Sequence, residues 1–124
     1  MLVTLLSLKP ILQNAVCEVK FFRRRPKIGK PPTRRMLCTN CPGILNTIDG
    51  RVTLNYKPAG GQIKFNPDQK NLIITWDVFM QDYRCINVSN CELIASIPQD
   101  SWWEYFKNNI VKLSTQQKIM YMDS

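Results

Sequence analysis

The sequence predicts a mainly β fold: a small barrel of about five strands, with a short helix before it and a helical cap after it. Alternating or β-branched runs, each ended by turn residues, recur at short spacing between residues 17 and 97. Both flanking segments instead carry apolar residues at helical spacing. The length of 124 residues suits one domain, which we divide into an N-terminal helical segment (1–16), the barrel (17–98) and a C-terminal helical extension (99–124).

The segment SLKPILQNAV predicts the N-terminal helix. Ser7 is the candidate N-cap, and Pro10 falls early enough to be tolerated in the first turn. Four apolar residues then share one face of this helix: Leu5, Leu8, Ile11 and Leu12.

The first two strands are predicted to form a hairpin with a basic tip. CEVKFFRRR alternates, with Cys17, Val19 and Phe21 on one side, which is typical of a half-buried strand. RRMLCTN has the composition of a second strand, and PKIGKPP between them contains too much proline and glycine for a regular element. The simplest interpretation is a hairpin whose long tip carries the basic residues.

The middle of the chain predicts turns and a loop. GILNTIDGRVTLNYK indicates a further hairpin, or a loop leading into a strand, because Asp49-Gly50 is a tight-turn signal. PAGGQIKFNPDQ indicates a polar loop.

NLIITWDVF is the strongest strand signal in the chain, because it is rich in β-branched and aromatic residues. A turn at Gln81-Asp82 leads into the strand YRCINV, and a corner at Ser89-Asn90 leads into CELIASI. One face of the first strand is predicted to carry Leu72, Ile74, Trp76 and Val78.

The C-terminal extension predicts two helices. Ser101 followed by Glu104 has the form of a capping box before SWWEYFKNNIVK, and Ser114 with Gln117 repeats it before a shorter helix. We expect the first helix to have about three turns, and both apolar faces to cover an open end or edge of the barrel. The inward face carries either Trp102 or Trp103, with Phe106 and Ile110.

All of the excess charge lies in residues 20–35, which we call the basic arm. The net charge is +8, and the arm holds eight basic residues and no acid, so the charges of the remaining chain cancel. A field this concentrated attracts polyanions, although a solvated tip and a nuclear-localisation-like address remain alternatives. Arginine predominates over lysine, which favours bidentate phosphate contact. The basic residues are Lys20, Arg23, Arg24, Arg25, Lys27, Lys30, Arg34 and Arg35.

Several kinds of chemistry lack support in the sequence. The chain contains no histidine, the commonest general base and metal ligand, and it has no catalytic carboxylate pair, phosphate-binding glycine loop or serine nucleophile motif. We therefore expect a non-enzymatic protein without a cofactor. The N-terminus lacks the pattern of a signal peptide, and its apolar run is broken by Lys9 and Pro10. With five cysteines, an odd number, this predicts an intracellular protein with reduced thiols and no membrane partner.

A set of spaced residues runs through the predicted strands: Met36, Cys38 and Thr39, then Trp76-Asp77, then Tyr83-Arg84, then Asn90. This pattern, over about residues 17–97, resembles the small SH3-like, Sm-like β-barrel proteins of tailed phages, often called the WYL-2 group. The MQDYR and RRRP…RRML regions resemble forms from T4-like phages of cyanobacteria. The resemblance implies an SH3-like barrel and no settled activity. The chain departs from the usual form in its longer, more basic first hairpin tip and its helical extension.

The cysteines allow two interpretations. Cys38 and Cys41 form a C-x-x-C pair, which together with Cys85 and Cys91 is a candidate four-thiolate zinc set. The strand positions of Cys38 and Cys85 favour buried free thiols instead, and the surrounding pattern does not support a redox pair.

The aromatic residues also allow two interpretations. Asp77 and Arg84 are expected to form a cross-strand ion pair beside packed aromatic rings; alternatively, Tyr83 stacks a base while Arg84 grips a phosphate. Because adjacent residues of a helix cannot both point inward, one of Trp102 and Trp103 enters the core, and the other is a candidate anchor for a partner protein.

The basic arm predicts a protein that binds DNA or RNA, mostly through phosphate contacts of the arm together with Tyr83 and Arg84. The resemblance implies that it is a phage accessory protein in the host cytoplasm. The alternatives are a module that binds and modifies a host machine such as RNA polymerase, and a minor virion component. The oligomeric state stays open.

Overall fold

The computed structural model describes residues 2–23, 25, 28–58, 67 and 70–124. Its centre is a five-stranded antiparallel sheet, with helices before and after it, so the prediction of a small mainly β fold is confirmed. The strands are β1 (Ala15–Phe22), β2 (Thr33–Thr39), β3 (Leu72–Asp77), β4 (Asp82–Asn87) and β5 (Glu92–Pro98). The helices are α1 (Leu5–Asn14), α2 (Pro42–Leu45), α3 (Ile48–Thr53), α4 (Gln99–Tyr105) with a π-helical turn (Phe106–Ile110), and α5 (Thr115–Met122).

The strand order is β4-β3-β2-β1-β5. The β1–β2 hairpin is confirmed, with Phe22 opposite Thr33 at its last pair before the tip. The pairing of β1 with β5 shifts register between Glu18 and Val19, an irregularity that bends a strand. The sheet curls enough for β1 and β4 to come together although two strands lie between them, but the described strands do not close it, because β4 and β5 stay at its edges.

Helix α1 begins one turn earlier than predicted. Thr4 is its N-cap: the Thr4 Oγ1 accepts from the Ser7 backbone N–H at 3.2 Å, and the Ser7 Oγ accepts from the Thr4 N–H at 2.9 Å. The prediction of Ser7 as N-cap is wrong because a capping box uses a polar side chain at both positions, and Ser7 occupies the inner one. The apolar face is confirmed, since Leu8 and Leu12 are buried.

The prediction of a turn at Asp49-Gly50 is wrong, because this segment is helical. Thr47 caps α3: its Oγ1 accepts from the Gly50 N–H at 2.9 Å and donates to the Ile44 carbonyl at 2.8 Å. A Cβ at Gly50 would meet the Ile44 carbonyl oxygen and would lie 2.6 Å from the Leu45 carbonyl oxygen. The glycine therefore permits close packing of α3 on α2. The predicted polar loop 58–69 lies, apart from residues 58 and 67, outside the described residues.

Two apolar clusters cover the two faces of the sheet. On one face, Leu8 and Leu12 of α1 pack with β1 and β2 residues such as Val19. On the other, Ile44 and Leu45 of α2 and Trp102 of α4 belong to one cluster with Trp76 of β3. Strand β3 is consequently mostly buried on both faces, beyond the single apolar face that the sequence predicted for it. Helix α4 contacts β5, which lies at one edge of the sheet, and its neighbour β1. The expectation that the apolar face of this helix covers an end or edge of a barrel stays a prediction.

The C-terminal helices begin at different signals. Helix α4 starts directly after β5, with Pro98 as N-cap and no side-chain cap bond, so the predicted capping box of Ser101 and Glu104 is wrong. Ser101 is already inside the helix, because the strand ends immediately before it. The capping box of α5 is confirmed: the Gln117 N–H donates to Ser114 Oγ at 3.1 Å, and the Ser114 N–H donates to Gln117 Oε1 at 2.8 Å.

Candidate functional site

The base of the basic arm is held in place by its own backbone. The Arg23 N–H donates to the Pro32 carbonyl at 2.9 Å, and the Arg23 Nε donates to the Pro31 carbonyl at 3.0 Å. Two of the eight basic residues, Arg24 and Lys27, lie outside the described residues. The described ones are Lys20, Arg23, Arg25, Lys30, Arg34 and Arg35.

Arg34 forms a buried ion pair at the start of β2. Its Nη2 lies 2.5 Å from the Asp77 Oδ2, and the two side chains are 13% and 1% exposed. The Asp77 Oδ1 also accepts the N–H groups of Phe79 and Met80, each at 3.1 Å, which fixes the turn after β3. The predicted pair of Asp77 with Arg84 is therefore wrong: Asp77, at the end of β3, pairs with Arg34 of β2 and not with Arg84 of β4, the strand on the opposite side of β3.

Arg35 lies on the other face of β2, because successive side chains of a strand alternate. Its Nη1 is 3.4 Å from the Glu18 Oε1 in a partly exposed pair. Lys20 stands opposite Arg35 in the β1–β2 register. The cations at the base of the arm are thus divided between two faces of the sheet.

Asp123, just after α5, bridges two cations of the arm. Its Oδ1 accepts from the Arg23 Nη2 at 2.8 Å, and its Oδ2 accepts from the Lys30 Nζ at 2.7 Å. The hydrogen bond from Lys30 is the main cause that lowers the pKa of Asp123 below its ordinary value of 3.8, and both positive charges add to it. The carboxylate is therefore ionised at neutral pH and neutralises part of the arm.

A cleft of about 680 Å³ opens between the base of the arm, the β3–β4 turn and α5; we call it the arm cleft. Its volume is in the range of small-molecule and cofactor sites. Five of its lining residues are cations and one is an acid. The lining residues are Arg23, Lys30, Arg34, Phe79, Met80, Arg84, Thr115, Lys118, Ile119, Met122 and Asp123.

Arg84 and Lys118 are the loosely held cations of the arm cleft. The Arg84 Nη1 donates to the Tyr83 carbonyl at 3.1 Å and lies 3.5 Å from the exposed carboxylate of Asp82. The Lys118 Nζ lies 5.7 Å from the centroid of the Phe79 ring. Both contacts leave these cations free to turn toward an incoming anion.

Tyr83 and Arg84 point to opposite faces of β4. The Tyr83 ring packs edge-on against Trp76, with 5.1 Å between centroids, and its hydroxyl donates to the Tyr56 hydroxyl at 2.8 Å. The predicted packing of Trp76 with Tyr83 is confirmed. Of these two residues only Arg84 lines the arm cleft, so they do not share this cleft. The alternative in which Tyr83 stacks a base while Arg84 grips a phosphate stays a prediction.

The two adjacent tryptophans differ in burial, as helical geometry requires. Trp102 is fully buried, so it belongs to the core and offers no surface to a partner. Trp103 is partly buried, with its ring centroid 5.9 Å from that of Phe106. Of the two tryptophans, only Trp103 has an exposed surface that a partner protein could contact.

The cysteines are divided between the two faces of the sheet. Cys38 and Cys91 belong to the cluster beneath α1, whereas Cys41 belongs to the cluster beneath α4. The candidate zinc set is not assembled, and among the described residues no three potential ligands come together. Burial raises the pKa of the Cys17 thiol to about 12 and that of Cys91 to about 11. These thiols are protonated at neutral pH.

Sequence reasoning missed α5 as part of this site. Asp123 and Lys118 reach the arm cleft only because α5 packs against the turn after β3, where Tyr121 contacts Phe79 at 5.2 Å between centroids. One signal was present: Asp123 is the only acid after Glu104, in a segment with several lysines.

The chain matches no protein-family model, no curated protein and no solved structure. The resemblance to phage β-barrel proteins therefore stays a prediction. No helix of the described segments combines the length and the apolar character needed to cross a membrane.

Proposed function

We propose that the protein binds nucleic acid without catalysing a reaction, through phosphate contacts in the arm cleft and along the basic arm. The observation that carries this proposal is the convergence of five cations on one cleft whose described lining holds a single carboxylate. Such a cleft concentrates positive potential where a phosphate backbone can enter.

The ion pairs of the arm refine which residues make these contacts. Arg34 is committed to the buried carboxylate of Asp77, so its removal weakens the fold as well as binding. The cations best placed to reach a phosphate are Arg23, Lys30, Arg84 and Lys118, joined by the exposed Arg25. This set extends the predicted site from the arm to β4 and α5.

The proposed binding reads the backbone of the nucleic acid and little of its base sequence. The only aromatic residue predicted to stack a base, Tyr83, already packs its ring against Trp76 and bonds its hydroxyl to Tyr56. Phosphate contacts position a nucleic acid but carry no sequence information.

We further propose that the curled sheet is an open SH3-like, Sm-like barrel. Three features support this assignment: the order β4-β3-β2-β1-β5, the irregularity that bends β1, and the approach of β1 to β4. That the protein is a phage accessory protein working in the host cytoplasm is also a proposal, and it rests on the sequence resemblance alone.

A binding titration tests the proposed function. Fluorescence anisotropy of a labelled single-stranded DNA, and separately of RNA, measures affinity between 50 and 200 mM salt. If about four phosphates are neutralised, affinity for a single strand falls by roughly fiftyfold over this range. Nearly constant affinity over the range would contradict the proposal.

Paired variants locate the contacts. Arg84→Gln with Lys118→Gln removes two loosely held cations of the arm cleft, and should weaken binding and flatten the salt dependence. Lys107→Gln with Lys112→Gln makes the same change in charge at exposed positions outside the cleft. Equal losses in both double variants would mean that net charge, and not the cleft, determines binding.

The second candidate, a module that binds a host protein, receives less support, because the predicted tryptophan anchor is largely packed within the protein. A pull-down from host lysate with and without nuclease separates the two. A host protein that is retained after nuclease treatment favours the module.

A further inference from the structure

We infer that Arg23 and Lys30 form a phosphate subsite which Asp123 occupies in the free protein, and that a nucleic-acid phosphate displaces this carboxylate. The inference rests on the proposed function and adds which residues hold a phosphate and what competes with it.

The Asp123 carboxylate has the charge and the acceptor arrangement of a phosphodiester. Each of its two oxygens accepts a hydrogen bond from a different cation, at 2.8 Å from Arg23 and 2.7 Å from Lys30. A phosphodiester also carries one negative charge shared by two unesterified oxygens. The same two donors can therefore hold either group, but not both at once.

The two cations of the subsite differ in mobility: Arg23 is held in place, whereas the side chain of Lys30 is exposed and can adapt to a ligand. Arg23 is 11% exposed and is fixed by bonds to the carbonyls of Pro31 and Pro32. Lys30 is 41% exposed and sits near the tip of the arm. A rigid guanidinium reduces the entropy lost on binding, while the lysine can follow the ligand.

Asp123 lies at the end of a helix, where its carboxylate can separate from Arg23 and Lys30. It follows α5, a helix of eight residues without a fully buried side chain. Its N–H donates to the Ile119 carbonyl at 3.0 Å, which belongs to the last turn of that helix. Helix ends with few buried contacts open at low free-energy cost. Opening of the Asp123 N–H bond releases the carboxylate and leaves Tyr121 and Lys118 packed beside Phe79.

Removal of the competitor should raise affinity. Asp123→Asn keeps the size of the side chain and removes its charge, so the phosphate no longer competes with a carboxylate. We expect affinity for a labelled single-stranded oligonucleotide at constant salt to rise at least about fivefold, the lower range of typical coupling between two sites. Glu104→Gln is the matched control, because it adds the same net charge at an exposed residue outside the arm cleft.

A second measurement follows the displacement itself. In the wild-type protein, saturating oligonucleotide should accelerate hydrogen exchange of the Asp123 amide, because the last turn of α5 opens when the carboxylate is released. A structural role of Asp123 without competition predicts unchanged or slower exchange.

The outcomes separate the two proposals. If wild type and Asp123→Asn bind equally with strong salt dependence, or if Glu104→Gln raises affinity as much, the subsite inference is overturned and the proposed function stands. If Asp123→Asn binds at least about fivefold more tightly than wild type and Glu104→Gln does not, the inference is supported. If neither protein binds at any salt concentration, both proposals fail.

Discussion

Arg34 and Asp77 form a buried ion pair that joins the start of β2 to the end of β3. Removal of one partner leaves a buried charge without compensation, which typically costs about 3–5 kcal/mol. We expect Arg34→Met to lower the free energy of unfolding by about this amount in urea denaturation followed by tryptophan fluorescence.

Arg35→Met is the control for this substitution. Arg35 is the next residue of the same strand, but its pair with Glu18 is 34% and 20% exposed, so its loss should cost at most about 1 kcal/mol. The double variant Arg34→Met with Asp77→Asn should recover part of the loss, because no charge is then buried unpaired. Equal effects of Arg34→Met and Arg35→Met would contradict the assigned geometry.

Gly50→Ala should destabilise the protein strongly. Its Cβ would press on the carbonyl oxygens of Ile44 and Leu45, which are backbone atoms and cannot swing aside. Overpacking of this kind costs about 1–3 kcal/mol. In the control Gly43→Ala, the atoms nearest to the new Cβ belong to the side-chain amide of Gln99, which can rotate away. Thermal unfolding followed by circular dichroism distinguishes the two, and similar melting temperatures would contradict this packing.

Stability should fall in alkaline solution because of the buried thiols. Burial raises the pKa of Cys17 to about 12 and that of Cys91 to about 11, from 9.0, and raises that of Cys38 well above 9.0. Between pH 9 and 11 the unfolded chain loses these protons while the folded protein keeps them. Each thiol then lowers the free energy of unfolding by up to about 1.4 kcal/mol per pH unit, and none of this loss occurs below about pH 8.

Urea denaturation under reducing conditions at several pH values measures this effect. Cys17→Val removes one of the titrating groups, so its free energy of unfolding should fall less steeply between pH 9 and 11. Parallel curves for wild type and variant would show that the Cys17 thiol is not shielded from ionisation.

Ser114→Ala should loosen α5 without unfolding the sheet. Ser114 accepts from the Gln117 N–H in a capping box, and loss of such a cap costs about 1 kcal/mol. We expect faster hydrogen exchange of the amides of residues 115–123 and an unchanged rate in β1. Accelerated exchange throughout the molecule would indicate instead that α5 is required for global stability.

The sequence was informative where a pattern is local. The β1–β2 hairpin, the strands from Leu72 to Pro98 and the capping box at Ser114 follow from alternation, turn residues and side-chain caps that neighbouring residues make. The prediction at Asp49-Gly50 failed because an Asp-Gly pair occurs both in tight turns and where two helices pack closely. Only the position of the Ile44 carbonyl, which the sequence does not show, distinguishes the two cases.

The candidate site was harder to predict because it depends on distant contacts. The charge of the basic arm is visible in the sequence, but its neutralisation by Asp77 and Asp123 joins residues that are 43 and 100 positions apart. Arg84 was assigned to the wrong acid because cross-strand proximity was inferred from one hairpin, without the third strand that carries Arg34.

Strand β1 lies between β2 and β5, and its two partnerships differ greatly in sequence separation. Val16 pairs with Thr39 on one side and with Ile97 on the other. During synthesis, one edge of β1 therefore stays unpaired until β5 has been made, by which time more than half of the chain after β1 has emerged. Long-range pairing of this kind slows folding and exposes an apolar edge in the meantime, so nascent chains of this protein are candidates for protection by chaperones.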